Sequence, residues 1–234
     1  MKKLFAIIAA LVVAACAFNA KAQLSGIEGM PPYKLGVTVG LNMPWLSGTI
    51  TDTDGPDTFS DDLKITTGFQ IGANLMVDAS QFLTNTFLRT EVKYSNKGAS
   101  LKHSYKLGGT HIQHDEEISL HYIELPIHYG YAWYINDYLT LMAEAGPYFA
   151  VAFSGVSKMT DNGKKQPNVG VFEGALNGNR FDLGWGVQGS AMIAKNYQVH
   201  VAFDYGFINI NSNYLQNRNI SVGFTWFFES LFDN

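Results

Sequence analysis

Cysteine is almost missing from this chain. The single thiol, Cys16, sits in an N-terminal apolar segment. Once that segment is removed, no disulfide, thiol nucleophile or cysteine metal site remains. Positive charge is scarce as well. Sixteen Lys and Arg stand against twenty Asp and Glu, a net charge of −4. With no basic cluster to meet phosphates, nucleic acid is not an expected partner. Beyond residue 22 no apolar run approaches the ~18 residues of a membrane-spanning helix. Any passage through a membrane must then be made by strands.

The first residues read as a targeting signal. Lys2-Lys3 are its positive start, Leu4 to Ala15 its apolar stretch, and Ala20-Lys21-Ala22 its small-residue cleavage site. Residues 1–22 are expected to be a signal peptide, leaving one domain over 23–234 that begins at Gln23. A rival reading takes Val13-Ala14-Ala15-Cys16 as a lipobox that would place a lipid on Cys16. What the chain has in quantity is glycine, 23 residues, and aromatics, 14%. Both suit a barrel, with small residues for close packing and rings for the membrane interfaces.

The strongest pattern lies between Phe181 and Phe228. Phe181, Leu183, Trp185, Val187, Ala191 and Ile193 share one face of a run whose other face carries Asp182, Gly184, Gly186, Gln188 and Ser190. Tyr197, Val199, Val201, Phe203, Tyr205 and Phe207 repeat the pattern against Gln198, His200 and Asp204; Ile220, Val222, Phe224, Trp226 and Phe228 repeat it again. Period-two alternation makes strands with one wet and one greasy face. Runs of about 10 residues exceed the usual ~5–6 and match a tilted strand crossing a bilayer. The expected fold is all-β, an eight-stranded antiparallel up-and-down transmembrane β-barrel with lipid outside. A soluble barrel with an apolar lumen is the rival, and the charged, glycine-rich second face opposes it.

Five earlier strands complete the count. They are expected near Tyr33 to Asn42, Thr67 to Asp78, Asn85 to Asn96, Glu116 to Trp133 and Leu139 to Phe153. The fourth shows a parity break at Tyr122-Ile123, which a β-bulge would repair so that Ile118, Leu120 and Tyr122 stay on the greasy face; Pro126 suits such an irregularity. Long loops are expected over Met43 to Thr66, Lys97 to Asp115 and Ser154 to Arg180, alternating with short turns. Short periplasmic turns and long outer loops are the habit of membrane barrels, so both termini should be periplasmic. Aromatics gather near the short turns (Phe82, Phe87, Trp133, Tyr134, Tyr138, Tyr197, Phe228) and near the long loops (Trp45, Tyr94, Phe153, Phe181), as two interfacial girdles would.

The candidate site is a set of inward charges: Arg89, Glu91, Lys93, Glu124, His128, Glu144 and Asp204. An eight-stranded lumen barely holds its own side chains, so these charges must pair. The result is either a salt-bridged plug or a narrow polar path. His103, His111 and His114, followed by Asp115, Glu116 and Glu117, could ligate a transition metal but match no tight motif. Asp52, Asp54, Asp57, Asp61 and Asp62 could hold Ca²⁺ or bridge lipopolysaccharide, yet they do not form an EF-hand loop. No cofactor and no metal are therefore expected. Ser119 and His121, two apart on one face near the outer rim, are the one nucleophile–base candidate; such a pair needs hydrogen-bond contact and a third orienting group.

Leu88-Arg89-Thr90-Glu91-Val92-Lys93-Tyr94-Ser95-Asn96-Lys97-Gly98-Ala99, Tyr122-Ile123-Glu124-Leu125-Pro126 and Gly146-Pro147-Tyr148 resemble the PorT-like outer-membrane β-barrel family of Bacteroidetes. That family is similar to the small barrels related to the OmpA membrane domain. The resemblance implies outer-membrane lipid, lipopolysaccharide and the barrel assembly machinery as partners, with room for an extracellular or periplasmic protein. One departure is the tail: Glu229 to Asn234 extend past Phe228, where many such barrels end on an aromatic residue. The functional reading is a structural or interaction barrel without enzymatic activity, then a narrow channel or transport accessory, then a rim-sited lipid-modifying enzyme.

Overall fold

The computed structural model describes residues 33–47, 62–107, 110–172, 178–210 and 215–228, with side chains left out at 62–63, 101–107, 110–112 and 114. The signal-peptide and lipobox readings, Asp52, Asp54, Asp57 and Asp61, and the tail past Phe228 lie outside the described residues. Eight long strands carry the fold: β1 Tyr33–Ser47, β2 Gly68–Asp78, β3 Thr86–Leu107, β4 Thr110–Asn136, β5 Leu139–Asp161, β6 Phe181–Ile193, β7 Tyr197–Asn209 and β8 Gln216–Phe228. Each pairs antiparallel with its sequence neighbours, and β8 pairs back onto β1, with Val39 opposite Phe224 and Leu41 opposite Val222. The pairings form an eight-membered ring, the all-β antiparallel fold expected of the alternation. A ring leaves no exposed strand edge, which a membrane would not tolerate.

The alternation becomes two walls. Leu41 is 61% exposed and Val201 56%, while Asn42 and Thr225 between such residues are wholly buried. Over most of each strand the outer wall is apolar, and polar side chains such as Asn42, Gln70, Asn74 and Thr225 point in. One end of the ring, here the terminal end, carries both described chain ends and the short connections at 79–85, 137–138 and 194–196. In the last of these, Ala194 and Lys195 both take positive φ (47° and 64°), a left-handed pair that right-twisted hairpins favour.

At the far end the structure corrects three expectations. First, Lys97 to Asp115 is no loop. β3 and β4 run on in unbroken register from Asn96 opposite His121 to Leu107 opposite Thr110. Second, Ser154 to Arg180 begins as strand: β5 continues to Asp161 and folds back through Asn162-Gly163, with Asp161 opposite Lys164. Short segments Lys164–Lys165 and Val169–Gly170 pair with β5, and Asp62–Lys64 pairs with β3. The wall of β3, β4 and β5 therefore stands well above the other five strands. Backbone pairing thus continues beyond the point where the greasy alternation stops.

Third, β4 has no parity change. Leu120 and Tyr122 are buried on the same inner face as Glu124, whereas Ile123 is outside. The bulge is on the partner strand: His121 faces Ser154 and Tyr122 faces Ala152, leaving Phe153 as the extra residue. Phe87, expected in a girdle, also points inward and is fully buried.

If the outer wall meets lipid, Val201→Arg should cost about 2–4 kcal/mol when the barrel is folded into phospholipid vesicles, the penalty of a mid-bilayer cation on such a wall. Urea unfolding of the vesicle-embedded protein reads it. An unchanged midpoint would mean that this face is not in hydrocarbon.

Candidate functional site in the lumen

The inner face closes at both ends with apolar side chains and is polar between them. At the terminal end Met76, Phe87, Ala132, Met142, Met192 and Phe227 form one buried cluster. Lys34 lies over it, its ammonium donating to the Lys195 carbonyl and standing 5.8 Å from the Phe227 ring. At the far end a second cluster includes Leu46, Leu120, Tyr122, Tyr148, Ile210 and Leu215. It is completed by Val171 and Phe172, which the β5–β6 connection drops into the mouth. The Arg180 guanidinium stacks on Phe172 at 4.6 Å.

Between the plugs lie two ion-paired tiers. In the lower, Arg89 Nη2 contacts Glu144 Oε1 at 2.7 Å and Arg89 Nη1 donates to Gln198 Oε1 at 2.9 Å. His128 Nδ1 reaches the same Glu144 oxygen at 3.2 Å. In the upper, Glu124 takes Lys97 at 2.5 Å and Lys93 at 3.3 Å, one on each oxygen. Lys97 also lies 3.9 Å from Asp204, which accepts from Asn219 at 3.2 Å. Lys93 donates to Gln70 Oε1 at 3.3 Å. Above them Asp182 accepts from Tyr148 OH (3.0 Å) and Asn217 Nδ2 (2.8 Å), and the Lys97 ammonium stands 4.9 Å from the Tyr148 ring. The Tyr148 ring lies over Gly184 of the neighbouring β6, where a Cβ would stand 2.5 Å from it.

The structure places all seven candidate charges on the inner wall, buried. Arg89, Glu144 and His128 come together, as do Lys93, Glu124 and Asp204. Glu91 stands apart, packed on Gly72, with Oε1 receiving no hydrogen bond. Sequence reasoning missed Lys97, the residue that ties Glu124 to Asp204. It lies in the stretch expected to be a loop, although it continues the inward spacing of Arg89, Glu91, Lys93 and Ser95. It also left out Asp182 and Lys34, whose acidic or basic character on a polar face was visible.

The remaining candidates fall elsewhere. His103 and His114 are opposed backbone partners near the tip of β3 and β4. Among the described residues no group of three His, Cys, Asp or Glu is arranged to hold a metal. Ser119 and His121 are on the outer wall. Asn96 Nδ2 donates to Ser119 Oγ at 3.1 Å, Tyr94 OH meets His121 Nδ1 at 2.7 Å, and no hydrogen bond between Ser119 and His121 occurs among the described contacts.

Buried charges cost least when paired, so breaking one side of a pair costs more than removing both. Arg89→Leu should lower stability by about 3–5 kcal/mol, and Arg89→Leu with Glu144→Leu should recover most of it. Urea midpoints of the three proteins test this; a double variant as weak as the single would refute pairing as the stabilising feature.

Comparison with known proteins finds distant similarities and one family. Among solved structures, the attachment invasion locus protein Ail of Yersinia pestis shares 10% identity with a TM-score of 0.40, covering 85% of this chain and 100% of Ail. Neisserial surface protein A shares 12% with a TM-score of 0.43, covering 83% and 97%. OprG of Pseudomonas aeruginosa shares 9% with a TM-score of 0.41, covering 87% and 100%. Likeness this distant says nothing of activity, and no curated protein matches the chain. The model of the outer membrane protein beta-barrel domain matches residues 24–212, most of the chain. The chain therefore belongs to the outer membrane protein beta-barrel domain family, proteins of the bacterial outer membrane.

Proposed function

We propose that this protein is a small PorT-like barrel with a structural or interaction role, and neither a conduit nor an enzyme. Its termini lie in the periplasm, and the tall wall of β3, β4 and β5 stands at the cell surface. The observation that carries this reading is the lumen, stopped by an apolar cluster at each end and laced with ion pairs between. A path for ions needs continuous hydrated polar lining, and Phe87 with Phe227 at one end and Leu120 with Phe172 at the other interrupt it. Side chains that fill an eight-stranded barrel make a rigid post. Such a post suits anchorage of a surface, with outer-membrane lipid and lipopolysaccharide around it and a protein partner at the projecting wall. The assembly machinery would insert it as it does other barrels.

Two measurements test this. In planar bilayers the purified protein should hold the current at baseline; discrete steps would favour the narrow channel instead. On intact cells a membrane-impermeant maleimide should label Gln113→Cys, near the tip of β4, and leave Ser80→Cys, in a terminal-end turn, unlabelled. The reverse pattern would invert the topology.

A further inference from the structure

The polar group that the lumen does not absorb lies on the outer wall. Across four neighbouring strands Phe69, Tyr94, His121 and Phe153 form one row of rings, with successive centroids 5.1, 6.0 and 6.1 Å apart. Below the row the same wall is apolar, with Ile71, Val92 and Ile123 exposed. Above it come Asn96 and Ser119, then Glu117 and Lys158 as an exposed ion pair at 3.9 Å. Along β4 the outer face thus passes from Ile123 through His121 and Ser119 to Glu117. The row marks the level where hydrocarbon gives way to headgroups.

Within that level two donors are set in place. Tyr94 OH lies 2.7 Å from His121 Nδ1, and the Asn96 amide nitrogen, which only donates, lies 3.4 Å from the same atom. With the Tyr94 hydroxyl donating to Nδ1, the ring proton sits on Nε2, away from Tyr94. The two amide hydrogens of Asn96 serve its closer acceptors, Ser119 Oγ at 3.1 Å and the Leu120 carbonyl at 3.3 Å. Ser119 accepts there and keeps its own O–H to give. His121 and Ser119 are both half-buried, so each donor is held rather than waving in solvent. A pair of oriented donors calls for a ligand rich in acceptor oxygens. At the rim of the apolar wall, on the end remote from the termini, that ligand is part of the membrane.

We infer that Tyr94, Asn96, Ser119 and His121 form an outward binding site for the oxygen-rich, phosphorylated headgroup of an outer-leaflet glycolipid, with Phe69 and Phe153 flanking its uppermost acyl carbons. Nε2–H of His121 and the Ser119 hydroxyl donate to the headgroup; Tyr94 and Asn96 are positioning residues. The site rests on the outer-membrane reading and its orientation, and gives that reading a particular lipid contact.

The full-length protein, reconstituted in nanodiscs of phosphatidylethanolamine containing rough lipopolysaccharide and then transferred to mild detergent, tests it by native mass spectrometry. Wild type should carry lipopolysaccharide through the transfer. His121→Phe, which keeps the ring row, and Ser119→Ala should each retain about tenfold less, the loss of one charge-assisted hydrogen bond. Glu117→Gln, one step above the site, should retain as much as wild type. Equal retention by wild type and both site variants, or none by wild type, overturns the site. Release by millimolar inorganic phosphate overturns the assignment to a lipid. Unboiled and boiled samples run beside these separate the two readings. A heat-dependent shift in every variant leaves the barrel standing while retention judges the site, whereas identical migration of unboiled and boiled wild type overturns both.

Discussion

Ring closure is the constraint on which the rest depends. A strand wall facing hydrocarbon has no water to satisfy its amides, so every N–H and C=O must find a neighbouring strand. The pairing of β8 with β1 removes the last edge. Once the ring is closed, the two faces of every strand have fixed and opposite surroundings. Lipid lies outside and a narrow interior lies within. Asn42 and Leu41, one bond apart in sequence, end at opposite extremes of exposure for that reason alone.

The narrow interior sets the second condition. Eight strands enclose room for side chains and little more, so Lys97, Glu124, Asp204 and Lys93 must share one space. Their mutual attraction offsets their desolvation, and Asn219 and Gln70 supply the hydrogen bonds that complete the tier. The methionine and phenylalanine cluster below and the Phe172-capped cluster above finish the closure. A lumen assembled this way is filled by its own side chains, and that filling is what the proposed structural role rests on.

Legibility followed the environment. Within the bilayer the alternation was complete, so strands β6, β7 and β8 and the inward placing of Arg89, Glu91, Glu144 and Asp204 could be read from spacing. Beyond it the same reading failed. In β3 and β4 the alternation stops near His121, and from there Lys102, Ser104, Asp115 and Glu117 form no greasy run to betray a strand. Asn162-Gly163 is a hairpin signal inside a segment whose Gly-, Asn- and Lys-rich composition resembles a loop. Leu120 and Tyr122 misled in the other direction. They are apolar yet inward, since the far plug needs them there, and periodicity cannot tell a plug from a lipid face.

By itself the sequence determined the strand period, the count of eight long strands, the greasy face along most of each strand and the short connections at 79–85, 137–138 and 194–196. These are local properties, set by neighbours one or two residues apart. Only the tertiary structure decided which charges meet, that Lys97 bridges Glu124 and Asp204, that both ends of the lumen are stopped, and that Tyr94 and Asn96 orient His121 and Ser119. Those contacts join strands whose facing residues are set by the register of the closed ring, and register is a property of the whole ring that no single strand carries.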